Sequence, residues 1–174
     1  MRSTLFILVV CLGMATTCAA ASEAFVTDKP SPLKLAKPDK QPGAPVRFTG
    51  QVQISGRFVV GWEGVNRRGG HLRAAFFPDK ASIGLLPHAA GGGPVDELLF
   101  SNAEQAVSIL VDQATAQRIL AKDLLDAAGE ATVSIRDYRT VVECDHRWYL
   151  AHLVSASRNE NIVVGARDKG SAGC

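Results

Sequence analysis

The chain has 174 residues, 47% of them hydrophobic, and a formal net charge of +2 at pH 7. This length and composition are typical of one globular domain with a hydrophobic core, and they argue against a wholly disordered chain. The nearly neutral charge gives no global attraction to nucleic acid, which is therefore disfavoured as a partner.

Residues 1–21 have the pattern of a cleavable secretory signal peptide. Arg2 supplies a positive charge, an apolar run extends from Leu5 to Leu12, and small residues continue to Ala21. The apolar run is shorter than the roughly 20 residues that a membrane-spanning helix needs. We therefore expect cleavage after Ala20 or Ala21, and a periplasmic or secreted protein with no transmembrane segment in the mature chain.

Cys18 leaves a lipid-anchored form open as a minority alternative. Lipid attachment normally requires a branched apolar residue three positions before the cysteine and a glycine, alanine or serine directly before it. Here those positions hold Ala15 and Thr17. The main expectation is therefore export without a lipid.

Removal of the signal peptide leaves two cysteines, Cys144 and Cys174. Disulfides persist in the compartments that exported proteins reach. We expect this pair to form a disulfide that holds the C-terminus against the sheet and contributes on the order of 2–4 kcal/mol. Two free thiols are the alternative.

Residues 22–45 predict a disordered or extended tail, because prolines and lysines alternate there with few large apolar residues. The tail's prolines are Pro30, Pro32, Pro38, Pro42 and Pro45, and its lysines are Lys29, Lys34, Lys37 and Lys40. A single β-rich globular domain is predicted to follow over residues 46–174.

A period-two pattern begins at Val46 and predicts a sheet with one buried face. The apolar positions of one parity are Val46, Phe48, Val52, Ile54, Phe58, Val60 and Trp62. Polar residues, Arg57 among them, occupy the opposite parity, and Val59 is the main exception. Because the parity is kept across Gly56, we expect one bent strand there rather than a two-residue hairpin.

The remaining elements follow from shorter patterns. Strands are predicted over 71–77, 81–86, 96–100, 131–143, 147–157 and 162–165, and residues 87–94 are predicted to be irregular. Residues 103–111 fit either a helix or a strand. Asp112 is the expected N-cap of a helix that ends at Gly129. The predicted buried face of that helix holds Ala116, Leu120, Leu124 and Ala127.

This order of elements predicts a mainly β protein. The expected fold is a β-barrel of OB-like Greek-key type, with one or two helices inserted before the last strand pair. No motif in the chain identifies a family, and a fold of this kind does not by itself fix a function.

No strong catalytic or metal-binding motif is present. A zinc site would need Cys144, His146 and His152 with His71 or His88, but His146 and His152 lie about 20 Å apart on an extended strand. Nothing in the local sequence selects a nucleophile with its histidine and acid. We expect no catalytic residue, metal or cofactor, while a small secreted hydrolase or metal-dependent enzyme stays open as an alternative.

A binding role is predicted for polar residues of the outward parity, the 64–70 loop and the closing strands. Barrels of OB type bind extended ligands through arginines and aromatic residues on one sheet face. The candidates are Arg57, Arg67, Arg68, Arg73, Arg147 and Tyr149. They predict a non-enzymatic binding module for a glycan, a peptide or an envelope protein. A structural or assembly accessory that docks an envelope complex through residues 22–45 is the other alternative.

Overall fold

The computed structural model describes residues 24–37, 39, 41, 43–64, 70–158 and 162–166, so the predicted signal peptide lies outside the described residues. The described strands are β1 (Phe25–Val26), β2 (Lys34–Leu35), β3 (Val46–Thr49), β4 (Gln51–Glu63), β5 (His71–Pro78), β6 (His88–Ala89), β7 (Leu98–Phe100), β8 (Leu124–Glu143), β9 (His146–Arg158) and β10 (Val163–Ala166). The described helices are α1 (Lys80–Ile83), α2 (Ala103–Leu110) and α3 (Gln113–Leu120). The predicted mainly β class is confirmed.

Strand β8 is the centre of a large eight-stranded sheet. One edge of β8 pairs with β3 and β4, and the other edge pairs with β9 and β10, always antiparallel. From β4 the sheet continues through β5 and β7 to β9, with a parallel pairing between β7 and β9. The sheet, which β2, β3 and β10 extend, is not a clean closed barrel, and the predicted OB-like Greek key is not confirmed.

Strand β4 runs unbroken from Gln51 to Glu63, so the prediction of one continuous strand through Gly56, rather than a turn, is confirmed. Its core-facing residues Ile54, Phe58 and Val60 are at most 1% exposed. At Gly56, a Cβ atom would collide with the backbone of Phe77 on β5. Glycine therefore allows the close approach of the two strands at this position.

The hydrophobic core lies between the inner face of this sheet and helices α2 and α3. Tyr138 is fully buried, and its hydroxyl donates a hydrogen bond of 2.7 Å to the carbonyl oxygen of Pro87. Burial raises the pKa of the Tyr138 phenol well above its usual range, so the hydroxyl stays a donor. The indole Nε1 of Trp62 donates to the carbonyl oxygen of Ile119 at 2.7 Å and ties β4 to α3.

Helix α2 forms where the sequence allowed a helix or a strand, and α3 begins at the predicted N-cap. The carboxylate of Asp112 accepts hydrogen bonds from the backbone N–H of Thr115 at 3.0 Å and from its hydroxyl at 2.7 Å. These bonds lower the pKa of Asp112 because they favour its charged form. Among the described residues, no helix is both long and apolar enough to cross a bilayer.

The predicted end of the last helix at Gly129 is wrong. Helix α3 ends at Leu120, Lys122 adopts a left-handed φ of 65°, and β8 begins at Leu124. A left-handed residue just after a helix directs the chain out of the helical path. The predicted buried face is right at Ala116, which is 5% exposed, and wrong at Leu120, which is 39% exposed while Ile119 is fully buried. Leu124 and Ala127 are buried as predicted, but they lie on β8 rather than on the helix.

The strand predicted over residues 81–86 is wrong as well, since α1 occupies the start of this segment. Asp79 caps α1, and its carboxylate accepts a 2.8 Å hydrogen bond from the backbone N–H of Ser82. Residues 87–94, predicted to be irregular, contain the short strand β6. Strand β6 exists because it pairs with β1, a partner that lies far away in the sequence.

Residues 24–37 belong to the segment predicted to be a disordered or extended tail, and they lie extended on the domain. Strand β1 pairs with β6, and β2 pairs with β3. Leu33 is 4% exposed and belongs to the core, and the ring of Phe25 packs edge-on against that of Phe48. Packing of these two apolar side chains offsets the conformational entropy that the segment loses when it is ordered. The high content of proline and lysine had predicted that this loss would not be offset. We call residues 24–37 the N-terminal strap.

Candidate functional site

An apolar stripe crosses the outward face of β4, β5, β7 and β9. Val59 of β4 lies opposite Ala75 of β5, Ala75 lies opposite Leu99 of β7, and Leu99 lies opposite Leu150 of β9. Ala75 is only 4% exposed although it does not belong to the core cluster. The solvent face of an antiparallel sheet is normally polar, so this stripe is unusual for such a face.

Two hollows lie along this stripe and share the residues Phe77 and Glu97. The first hollow, about 260 Å³, also contains Leu99 and Trp148 in its wall. The second hollow, about 220 Å³, also contains Val59 and Ala75. We call the two together the outer groove, defined by Val59, Ala75, Phe77, Glu97, Leu99 and Trp148.

Arg73 joins the carboxylates of two other segments at the second hollow. Its Nη1 lies 2.9 Å and 3.0 Å from the two carboxylate oxygens of Glu63, and its Nη2 donates to Glu97 Oε1 at 2.6 Å. The side chains of Arg73 and Glu97 are each 28% exposed, so water only partly screens this pair. One guanidinium shared by two carboxylates leaves the triad with a net negative charge.

Asp126 of β8 adds another carboxylate at the second hollow. It lies opposite Gly61 of β4 on one side and Gly165 of β10 on the other. A Cβ atom at either glycine would collide with Asp126. The two glycines therefore leave the room that the Asp126 side chain occupies, and no hydrogen bond or ion pair engages its carboxylate within the described residues.

The side chains that line the outer groove include more carboxylates than guanidiniums. The four carboxylates among its described residues are Glu63, Asp96, Glu97 and Asp126. Two guanidiniums stand against them, those of Arg73 and Arg147. Two further cations, Arg57 and Lys122, lie next to the groove over the rings of Phe77 and Trp62, so four cations stand beside its four carboxylates. The sequence had pointed to arginines as the main polar contacts.

Two of the arginines predicted to bind a ligand make contacts with aromatic rings. The guanidinium carbon of Arg57 lies 4.6 Å from the centroid of Phe77, at a third hollow of about 520 Å³ beside the outer groove. Arg147 lines the first hollow, and its guanidinium carbon lies 5.5 Å from the ring of Phe25 in the N-terminal strap. Arg67 and Arg68 lie outside the described residues.

Tyr149, the aromatic residue predicted to bind a ligand, lines the first hollow but is only 9% exposed. Its ring stacks on that of Tyr138, with centroids 6.2 Å apart. Trp148, its neighbour on β9, is partly exposed, and the ring of His146 packs edge-on against it at 4.3 Å. The structure thus places Trp148, rather than Tyr149, on the outward face.

Cys144 is a free, exposed cysteine in the two-residue turn between β8 and β9. Cys144 and Asp145 have φ angles of 48° and 63°, the left-handed pair that a type I′ hairpin turn requires. Cys174 lies outside the described residues, so its disulfide with Cys144 stays a prediction.

No group of three or more His, Cys, Asp or Glu side chains in the described part of the chain is arranged to hold a metal ion. Of the histidines considered as ligands, His88 is buried on β6, and its Nδ1 lies 3.4 Å from the carbonyl oxygen of Leu86. His152 lies near Asn102, with 3.5 Å between its Nε2 and the amide nitrogen of Asn102.

Comparisons with models of protein families, with curated proteins and with solved structures give no match. The groove must therefore be interpreted from its own residues. Phe77, Glu97 and Asp126 were not among the sequence candidates. A signal for this face exists in the sequence, because Val59 breaks the polar parity of β4 and the run HLRAAFF is apolar on both parities.

Proposed function

We propose that the protein is an exported, non-enzymatic binding module that holds an extended ligand in the outer groove. The observation that supports this is the apolar stripe from Val59 to Leu99, which is flanked by two hollows on the outward face. Concave sites lined by apolar and aromatic side chains with a few charged groups are typical of ligand-binding sites. A glycan, a peptide and an envelope protein are the ligand classes of this proposal.

We also infer a modified barrel of OB type, and the order of strand pairing supports it. In the order β8, β4, β5, β7, β9, each strand pairs with the next, and β9 pairs again with β8. In chain order, the five strands of this ring are β4, β5, β7, β8 and β9. Helices α2 and α3 lie between the third and the fourth of them, β7 and β8. In OB folds the second and third strands carry the ligand-binding face. The corresponding strands here, β5 and β7, carry Phe77 and Leu99.

The binding proposal predicts that Phe77→Ala and Trp148→Ala weaken ligand binding by at least about tenfold, because buried aromatic contacts dominate such sites. The measurement is the Kd of a hit from a screen of extended peptides and oligosaccharides. Val154→Ala is the matched control, because Val154 is an exposed apolar residue of β9 that does not line the groove. A hit that binds all three variants as well as the natural chain would show that the outer groove is not the site.

Export predicts that the protein purified from its own host lacks residues 1–20 or 1–21. An intact mass measured after denaturation locates the cleavage, and a deficit of about two hydrogens reports a bond between Cys144 and Cys174. A mass that includes the first 20 residues would contradict export through a cleaved signal. An added lipid mass would assign attachment to Cys18.

A further inference from the structure

The charge of the outer groove indicates which ligand it takes. We infer that the groove binds a cationic extended peptide, whose lysine or arginine side chains reach Asp126 and the carboxylates that hold Arg73. This inference rests on the binding function proposed above and specifies its ligand. Its basis is the complementarity between an apolar floor edged by carboxylates, of which Asp126 is unpaired within the described residues, and a chain that alternates apolar and basic residues.

Both arginines of the groove are engaged within the protein. Arg73 is held by Glu63 and Glu97, and Arg147 lies against the ring of Phe25. An anionic ligand would therefore meet four carboxylates and compete with existing partners for each guanidinium. A cationic ligand would meet carboxylates at the wall and, at Asp126, one that has no partner within the described residues, which favours it over an acidic or neutral ligand.

Asp126 is the carboxylate best placed for such a cation. Within the described residues it has no ion-pair or hydrogen-bond partner, and it stands at the second hollow beside the indole of Trp62. That indole already carries the ammonium of Lys122 at 4.1 Å from its ring. Likewise, the guanidinium of Arg57 lies 4.6 Å from the ring of Phe77, another lining residue of this hollow. Cations of this chain therefore already occupy aromatic faces around the hollow, as cation–π attraction favours.

The dimensions of the stripe fit a short extended segment. Neighbouring strands lie about 4.8 Å apart, so a stripe across four strands spans about 15 Å, the length of four or five extended residues. In an extended chain, alternate side chains point the same way. Apolar side chains of such a peptide contact Val59, Ala75 and Leu99, while its basic side chains reach the carboxylates at the walls.

The test compares three synthetic octapeptides in which valine alternates with lysine, with glutamine or with glutamate. We expect the lysine peptide to bind at least about tenfold more tightly than the glutamate peptide, and to lose affinity as salt is raised. Fluorescence anisotropy at low and high ionic strength measures both effects. Equal binding of the glutamine or glutamate peptide would overturn the inference.

Substitutions then locate the cation. Asp126→Asn and Glu97→Gln are each expected to weaken binding of the lysine peptide by about tenfold, as loss of a charge-assisted contact does. Their effect on the glutamine peptide is expected to be small. Glu104→Gln, an exposed acid on α2, is the matched control and leaves the affinity unchanged. Unchanged melting temperatures verify that the variants fold.

The outcomes separate this inference from the function on which it rests. If the glutamine peptide or an oligosaccharide binds, and Phe77→Ala abolishes that binding while lysine gives no advantage, the groove function stands and the cationic ligand is wrong. If none of these probes binds at millimolar concentration, both proposals fail. If the lysine peptide binds but Asp126→Asn and Phe77→Ala change nothing, a different surface binds it and both assignments to the groove are wrong.

Discussion

Tyr138→Ala is expected to lower the free energy of unfolding by about 3–5 kcal/mol, the range for removal of a buried aromatic ring. The ring of Tyr138 lies 5.4 Å from that of Phe48 and 6.2 Å from that of Tyr149, measured between centroids. Its loss leaves a cavity between β3, β8 and β9 and also removes the hydrogen bond to Pro87. Urea unfolding followed by circular dichroism measures the change.

Tyr138→Phe separates the two contributions. It keeps the ring but leaves the buried carbonyl of Pro87 without its 2.7 Å donor, which costs about 1–3 kcal/mol. The alanine variant should therefore be clearly less stable than the phenylalanine variant. If the two variants unfold at the same urea concentration, the packing of the ring contributes nothing measurable, and this account of the core is wrong.

Leu33→Ala is expected to lower the free energy of unfolding by about 2–5 kcal/mol, the range for a buried leucine. Leu33 lies in the N-terminal strap, is 4% exposed and belongs to the core cluster. The strap is held by two short strand pairings, by a few buried side chains and by hydrogen bonds such as that from the backbone N–H of Lys29 to the carbonyl oxygen of Gly84. Loss of this anchor should therefore also make residues 24–37 more sensitive to limited proteolysis.

Leu35→Ala is the matched control in the same strap. Leu35 is 59% exposed, so its replacement by alanine should change the stability by no more than about 0.5 kcal/mol. Both variants replace a leucine by an alanine, and the two positions are two residues apart. A difference in stability between them therefore reports the burial of Leu33 rather than the type of substitution or its place in the chain. Equal effects of the two substitutions would show that the strap does not share the core of the domain.

Local patterns in the sequence predict the elements whose stability is itself local. The parity from Val46 to Trp62 predicts β4 as one continuous strand, and Asp112 predicts the start of α3. Elements that depend on a partner far away in the chain were not predicted. Strand β6 forms because it pairs with β1. The packing of Phe25 and Leu33 was missed because each is an isolated apolar residue, and its contact with the core exists only once the sheet is complete.

The candidate site follows the same division. Arg57, Arg73 and Arg147 are placed at or beside the outer groove, as their parity and strand positions suggest. The ion pairs of these arginines were not predicted. The partners of Arg73, for example, are Glu63 and Glu97, which come from two other segments of the chain. A pattern along one strand cannot show which acids the neighbouring strands bring beside it. The surface predicted to be rich in arginine is thus a groove at which carboxylates and cations are mixed.

The register between β4 and β8 also has a consequence for how the protein folds. It joins Gln51 to Arg136 and Gly61 to Asp126, residues that are far apart in the chain. Contacts between residues so far apart in the chain slow folding, because the entropy of closing a long loop is lost before the strand pairing stabilises the structure. During synthesis, the chain can form the β4–β5 hairpin early, but Asp126 reaches Gly61 only after all three described helices have been made. Full assembly of the groove is therefore a late event, and a ligand that binds it stabilises only the completed fold.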